Sequence, residues 1–230
     1  GMYPSANIVL FVNQEDYFAE IKKSLSTHPL YLCISYDTDL LALEALTKMT
    51  RRYLDFAISE KALTTEIRTK SAVSVAPLAE RLPKDARSRI IMAYSLSPDS
   101  VIARFEHRTP GLSARLTAIR TAYKSGFPIR LCFDPLLAVP DFKSVYGEFL
   151  SQVRDALQDI PIKDASIGVF RISDGYLKQM RKNRPASALL QYPFINENHV
   201  CSYGGRGREM MAFVKEFLSG FLPEDKIFTQ

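Results

Sequence analysis

Several short polar groups in this chain of 230 residues hold the residue types that do chemistry. Tyr36, Asp37, Thr38 and Asp39 stand together, Lys70 follows an apolar run, Ser95 and Ser97 follow another, and Asp134 and then Arg171 with Ser173 follow two more. Carboxylates, small hydroxyls and one lysine on a single rim would suit a polar, zwitterionic or nucleotide-like ligand. Each also has a plain structural reading. Thr38 or Asp39 would cap a helix starting at Leu40, Asp134 before Pro135 would form a turn, and Lys70 would be a surface lysine. Between Arg171 and Met210, seven basic residues (Arg171, Lys178, Arg181, Lys182, Arg184, Arg206, Arg208) stand against Asp174, Glu197 and Glu209. A local basic excess suits a polyanion such as nucleic acid; a solvated helix face has the same composition.

The elements that must position these groups alternate between two hydrophobic periods. Apolar runs at Asn7–Val12, Leu30–Ser35, Thr65–Lys70, Ser88–Ser97, Pro128–Leu137 and Ala165–Ile172 read as strands. Helical spacing predicts helices at Glu15–Leu25, Leu40–Leu54, Ser74–Leu82, Gly111–Lys124, Phe142–Leu157, Tyr176–Lys182 and Arg208–Leu222, with a short last strand at "KIFT". Gly126 falls where a helix-terminating glycine belongs. Strands alternating with helices of this length indicate βαβ units and a parallel sheet, and ligands of such folds sit at the C-terminal ends of the strands. That rule collects the polar groups above on one rim. The longest irregular stretch, Arg184–Gly207, carries two prolines, Tyr192 and Phe194, and a loop of that length is usually functional.

Composition narrows the class. Hydrophobic residues make up 47% and charged residues 24%, with a net charge of +5, which excludes disordered, collagen-like and coiled-coil chains. No apolar run reaches the ~18 residues of a membrane-spanning helix, and no secretory signal pattern is visible. The cysteines Cys33, Cys132 and Cys201 are odd in number and far apart, which points to a reducing, cytoplasmic setting rather than a disulfide framework. The chain has no P-loop, no Rossmann fingerprint, no nucleophile elbow and no zinc-type spacing among His28, His107, His199 and the cysteines.

Three segments together carry a resemblance: "DLLALEALTK", "IRTKS" and "IIMAYSLSPDSVIARFEHRTPGLSARLTAIRTAYKSGFPIRLCFDPLL". They are similar to the spore photoproduct lyase family of radical S-adenosylmethionine (SAM) enzymes, and "LLQYPFINENH" and "REMM" extend the likeness over nearly the whole chain. The resemblance implies an α/β fold, a partial (β/α)6 radical SAM-type barrel of parallel strands, in one domain over residues 1–230. It implies SAM and a 4Fe–4S cluster as cofactors, reductive cleavage of SAM to a 5′-deoxyadenosyl radical, and repair of a thymine dimer in DNA. The family holds its cluster with C-x-x-x-C-x-x-C, a motif this chain lacks. The expectation is therefore a chain that starts after the cluster motif, without the first strand and cluster loop, inactive as it stands and holding no cluster on its own cysteines.

The family positions carry over one at a time. Thr38 and Asp39 match a Ser-Asp pair near SAM, Lys70 matches the lysine that meets the SAM carboxylate, Ser95 matches a serine facing the ribose or amino-acid moiety, and Asp134 falls on the adenine side. Where the family has its hydrogen-donor cysteine, this chain has Tyr36, with Cys33 three residues earlier; these two are the candidate catalytic groups. The family's lesion-probing Arg-Tyr pair has no counterpart here, but Tyr203, Arg206 and Arg208 lie in that region, and with Lys182 they are the candidate nucleic-acid contacts. DNA is the expected partner, with no membrane association; self-association would run through an exposed sheet edge. Two other readings stay open: a basic α/β nucleic-acid-binding module without catalysis, and a radical SAM enzyme with a different substrate.

Overall fold

The structure, a computed structural model, describes residues 10–35 and 38–230. Contacts divide the chain into two compact units, one running up to Cys132 and adding Ala156–Asp164, the other made of Phe133–Asp155 and Ala165–Gln230.

In the first unit, α1 (Gln14–Leu25) is followed by β1 (Leu30–Cys33), the short α2 (Glu44–Thr47) and α3 (Met49–Ser59). Phe18 of α1 stacks on Phe56 of α3 with ring centroids 4.4 Å apart. Then come β2 (Leu63–Thr69), the one-turn helices α4 (Ala76–Ala79) and α5 (Lys84–Arg87), β3 (Ile90–Ser95), α6 (Asp99–Phe105) and α7 (Leu112–Lys124). β4 (Ile129–Leu136) begins here. The strands pair in parallel, with Cys33 opposite Glu66, Arg68 opposite Ala93, and Ala93 opposite Arg130. Side chains alternate across a strand. Leu63, Ile67, Ile90, Met92 and Tyr94 are buried, and the Tyr94 hydroxyl donates to the Ala118 carbonyl of α7. That contact fixes which face of β3 is turned to the helices, and leaves Ala93 and Ser95 on the opposite face.

The second unit holds α8 (Phe142–Leu157), most of β5 (Ile162–Val169), α9 (Asp174–Asn183), α10 (Gly205–Ser219) and β9 (Ile227–Thr229). On α8, Phe142, Tyr146, Phe149, Leu150 and Val153 are buried, the 3–4 residue spacing of one helix face. The Leu137 N–H donates to the Tyr146 hydroxyl at 2.9 Å. β6 (Ile172–Ser173), β7 (Ile195–Glu197) and β8 (Val200–Ser202) form a small antiparallel sheet in the order β6-β8-β7. Its hairpin turns at Asn198 and His199, both with positive φ, as a tight two-residue hairpin requires.

The main sheet is six-stranded, in the order β1-β2-β3-β4-β5-β9. This is the expected parallel α/β class; among the described residues the first of the strands read from the sequence has no counterpart. The run at Asn7–Val12 was expected as a strand; Leu10, Phe11 and Val12 are irregular and exposed, and the rest of that run lies outside the described residues. The sixth parallel strand is β9, the short last strand read at "KIFT", pairing Ala165 with Ile227 and Ile167 with Thr229. The helix expected over Leu40–Leu54 is interrupted at Lys48, which takes a left-handed conformation (φ 55), and the one expected over Ser74–Leu82 shrinks to a single turn. The strand expected to run to Ile172 stops at Val169, because Ile172 and Ser173 pair with β8 in the second sheet. The stretch Arg184–Gly207, read as irregular, contains the β7–β8 hairpin.

Candidate functional site

At the ends of β1 and β2, Asp39 ties the first unit together. Its carboxylate accepts from the Thr69 hydroxyl (2.8 and 2.9 Å), from the Lys70 backbone N–H (2.8 Å) and from the Ala42 N–H (3.0 Å). Both oxygens are engaged by the protein, so Asp39 shapes the rim. Thr38 beside it is exposed. Lys70 is thereby placed at the strand end, and its ammonium donates to Glu106 at 2.7 Å. Ser95 is buried, and its carbonyl accepts from Arg115 at 2.9 Å. Thus Asp39, Lys70 and Ser95 are linked through Glu106 and Arg115, two residues the sequence reading passed over. Glu106 lies in the longest of the quoted segments, next to His107, which is exposed. Burial by itself would raise the Glu106 carboxyl, but Lys70 and Arg115 outweigh it and hold it below its ordinary value.

A second polar cluster crosses the same face. Glu66 of β2 is reached by Arg68, by Arg130 of β4 and by the Tyr31 hydroxyl of β1. Arg130 also pairs with Asp164 of β5, which Lys163 contacts at 3.0 Å. Cys33 lies in this cluster, its Sγ 3.8 Å from Glu66 Oε1. Burial first, then the Glu66 charge, push the Cys33 thiol up, so it is kept protonated. The sequence reading missed this face; the alternation Glu66-Ile67-Arg68 is the signal that could have found it, since period 2 puts both charges on one side. Tyr36 lies outside the described residues.

In the second unit, the Asp134 carboxylate lies over Gly168, where a Cβ would come within 2.9 Å of Oδ1. Lys182 and Arg208 are exposed. Arg206 is exposed too, but pairs with Glu209 at 3.3 Å and lies over the Phe142 ring. Tyr203 is only 3% exposed, packed edge-on against Tyr192 at 4.7 Å and against Phe194; its ring is spent inside the unit and is not turned to solvent. Arg181 donates to the carbonyls of Leu190 and Tyr192, so one of the basic residues pins the loop.

For a cluster, the donor set does not fit. Cys33, Cys132 and Cys201 sit on β1, β4 and β8, the last two buried, and no group of three His, Cys, Asp or Glu among the described residues could hold a metal ion. The Lys70 side chain keeps 32% of its surface open, so its ammonium is within reach of a ligand carboxylate. No helix among the described residues is long and apolar enough to cross a membrane.

A parallel α/β sheet that carries a lysine, a caged acid and buried serines at its strand ends defines an α/β protein with a polar rim. A family model described as spore photoproduct lyase matches residues 2–205. The chain belongs to the spore photoproduct lyase family. Among solved structures, a spore photoproduct lyase mutant with bound AdoMet and dinucleoside spore photoproduct is similar at 16% identity and TM-score 0.80, covering 96% of this chain and 67% of that one. Spore photoproduct lyase complexed with dinucleoside spore photoproduct is 15% identical, with the same TM-score and coverage. At such identity the likeness is one of fold. No curated protein sequence matches the chain.

Proposed function

We propose that this chain is the SAM-holding and substrate-presenting part of a radical SAM enzyme that acts on a DNA lesion of the thymine-dimer kind. The observation that carries the reading is the Lys70 ammonium, fixed at a strand end by Glu106 and by the backbone contact to Asp39, in a chain of this family. When bound and reductively cleaved, SAM supplies a hydrogen-abstracting radical. Lys70 would take its carboxylate, with Thr38 and Ser95 beside it. Asp39 positions Lys70 and orders the rim. Cys33, kept as a thiol by burial and by Glu66, would keep a hydrogen atom on the sheet face; Tyr36 is the other candidate donor. Lys182, Arg206 and Arg208 would contact DNA phosphates, and a base acted on would have to leave its stack.

The chain's own cysteines supply no cluster site, so the reaction requires thiolates this chain does not carry, and the 230-residue chain alone is expected to be inactive. That same observation favours a second reading, a nucleic-acid-binding module without catalysis. Two measurements test the proposal. Equilibrium dialysis with labelled SAM is expected to show binding that Lys70→Met weakens. Duplex DNA affinity is expected to fall with salt, by close to one power per neutralised phosphate. Arg208→Ala should flatten that slope by about one unit, and Arg206→Ala by less because Glu209 already holds it. DNA binding without any SAM binding would select the module; neither would remove both readings.

A further inference from the structure

Three charges meet at the rim of the first unit. Glu106 Oε1 accepts from Lys70 Nζ at 2.7 Å and from the Ser97 hydroxyl at 2.9 Å, while Oε2 accepts from Arg115 Nη2 at 2.6 Å. Arg115 is fully buried, and its other donors go to the Pro110 carbonyl, the Ser95 carbonyl and the Thr109 hydroxyl, each at 2.9 Å. The Glu106 side chain is 9% exposed and that of Lys70 32%. The fixed members of the node are therefore Glu106 and Arg115, and the presented one is Lys70.

The charges decide what the node can do. Among these three groups Arg115 compensates Glu106, so the charge left over is that of Lys70; the Asp39 carboxylate, which accepts the Lys70 backbone N–H, is a fourth charge beside them, already held by the Thr69 hydroxyl and two backbone N–H groups. An ammonium has three donors, and Glu106 takes one. A lysine already ordered by a carboxylate does not lose its rotamer freedom again when a ligand arrives. Without Arg115, Glu106 would repel an incoming anion; with it, the repulsion is offset and the ordering remains.

We infer that Glu106 is a positioning residue, anchored by Arg115, that holds the Lys70 ammonium ready for a ligand carboxylate. The inference rests on the reading of Lys70 as the contact for the SAM carboxylate. It predicts selectivity for the carboxylate rather than general tightness of binding, which a purely structural acid would not alter.

The test is isothermal calorimetry of the full chain with SAM and with its decarboxylated analogue. The wild type should prefer SAM by about tenfold, the worth of one good charge-assisted contact. Glu106→Gln should erase most of that preference by weakening SAM while leaving the analogue unchanged. Glu106→Asp keeps a charge against Arg115 while withdrawing the carboxylate from Lys70. It should do the same, and it decides the matter if Glu106→Gln does not fold. A preference left at the wild-type value in a folded variant, or SAM bound more tightly without Glu106, overturns the inference and leaves the SAM reading standing. Absence of SAM binding to the wild type overturns both.

Discussion

Arg130 and Asp164 face each other from adjacent strands as a two-point pair, Nε to Oδ1 and Nη2 to Oδ2, the latter at 2.9 Å. The same guanidinium reaches across β3 to Glu66, so one side chain on β4 ties β5 to β2. Glu66 and Asp164 expose only 2% and 4% of their side chains. Breaking a buried pair on one side leaves an uncompensated charge. Arg130→Met should therefore cost about 3–5 kcal/mol in urea unfolding. Adding Asp164→Asn should cost little more, and a simple sum of the two single changes would show that the pair is not coupled.

Glu106 gives a pH signature. Its folded-state carboxyl lies below its ordinary value, with Lys70 and Arg115 overcoming the burial that would raise it. A depressed acid contributes stability that is present above its unfolded value and lost as pH falls through the folded one. The stability gap between wild type and Glu106→Gln should be widest at neutral pH and close on acidification below the usual carboxylate range. Denaturation midpoints at a series of pH values would read it, and a gap that widens in acid would contradict the ion pair.

Gly204 precedes α10 with φ +56, and a Cβ there would come within 2.4 Å of Ile195 Cδ1. Gly204→Ala should destabilise by about 1–3 kcal/mol from backbone strain and the clash together. Adding Ile195→Ala should recover the clash but not the backbone part, a split visible in thermal melts.

Tyr203 is pushed up to about 12 by burial. Its neutral form is bound more tightly in the folded state, so its contribution to stability is complete below the ordinary tyrosine value and fades as pH rises toward 12. Ultraviolet titration of wild type against Tyr203→Phe should show one late-ionising phenol missing. Tyr203→Ala should cost about 3–5 kcal/mol, as for a large buried ring, and an early-ionising Tyr203 would mean that the ring is not packed inside.

Regular elements with strong periodicity were legible in the sequence. The α8 boundaries Phe142–Leu157 were read as they stand, and Gly126 has the expected positive φ of 88. The break in the helix expected over Leu40–Leu54 turns on Lys48, since nothing in a lysine announces a left-handed residue. β9 is only three residues long, and its partner is a choice of tertiary packing that a local pattern does not encode. The site was half legible. Lys70 and Asp39 stood at strand ends as expected, but Glu106 and Arg115 went unread because burial is a property of the assembled unit. A buried arginine on a helix such as α7 has the same letters around it as an exposed one.

The strand order has a consequence for synthesis. β1 to β5 emerge from the ribosome in the order in which they lie in the sheet, so each new strand through β5 finds its neighbour already made. β5 then has one free edge until α10 and β9 have been translated and the Gln230 N–H can reach the Ile167 carbonyl. Throughout that interval the nascent chain carries an open template for pairing with another polypeptide, and a chain cut short before Ile227 would keep it permanently.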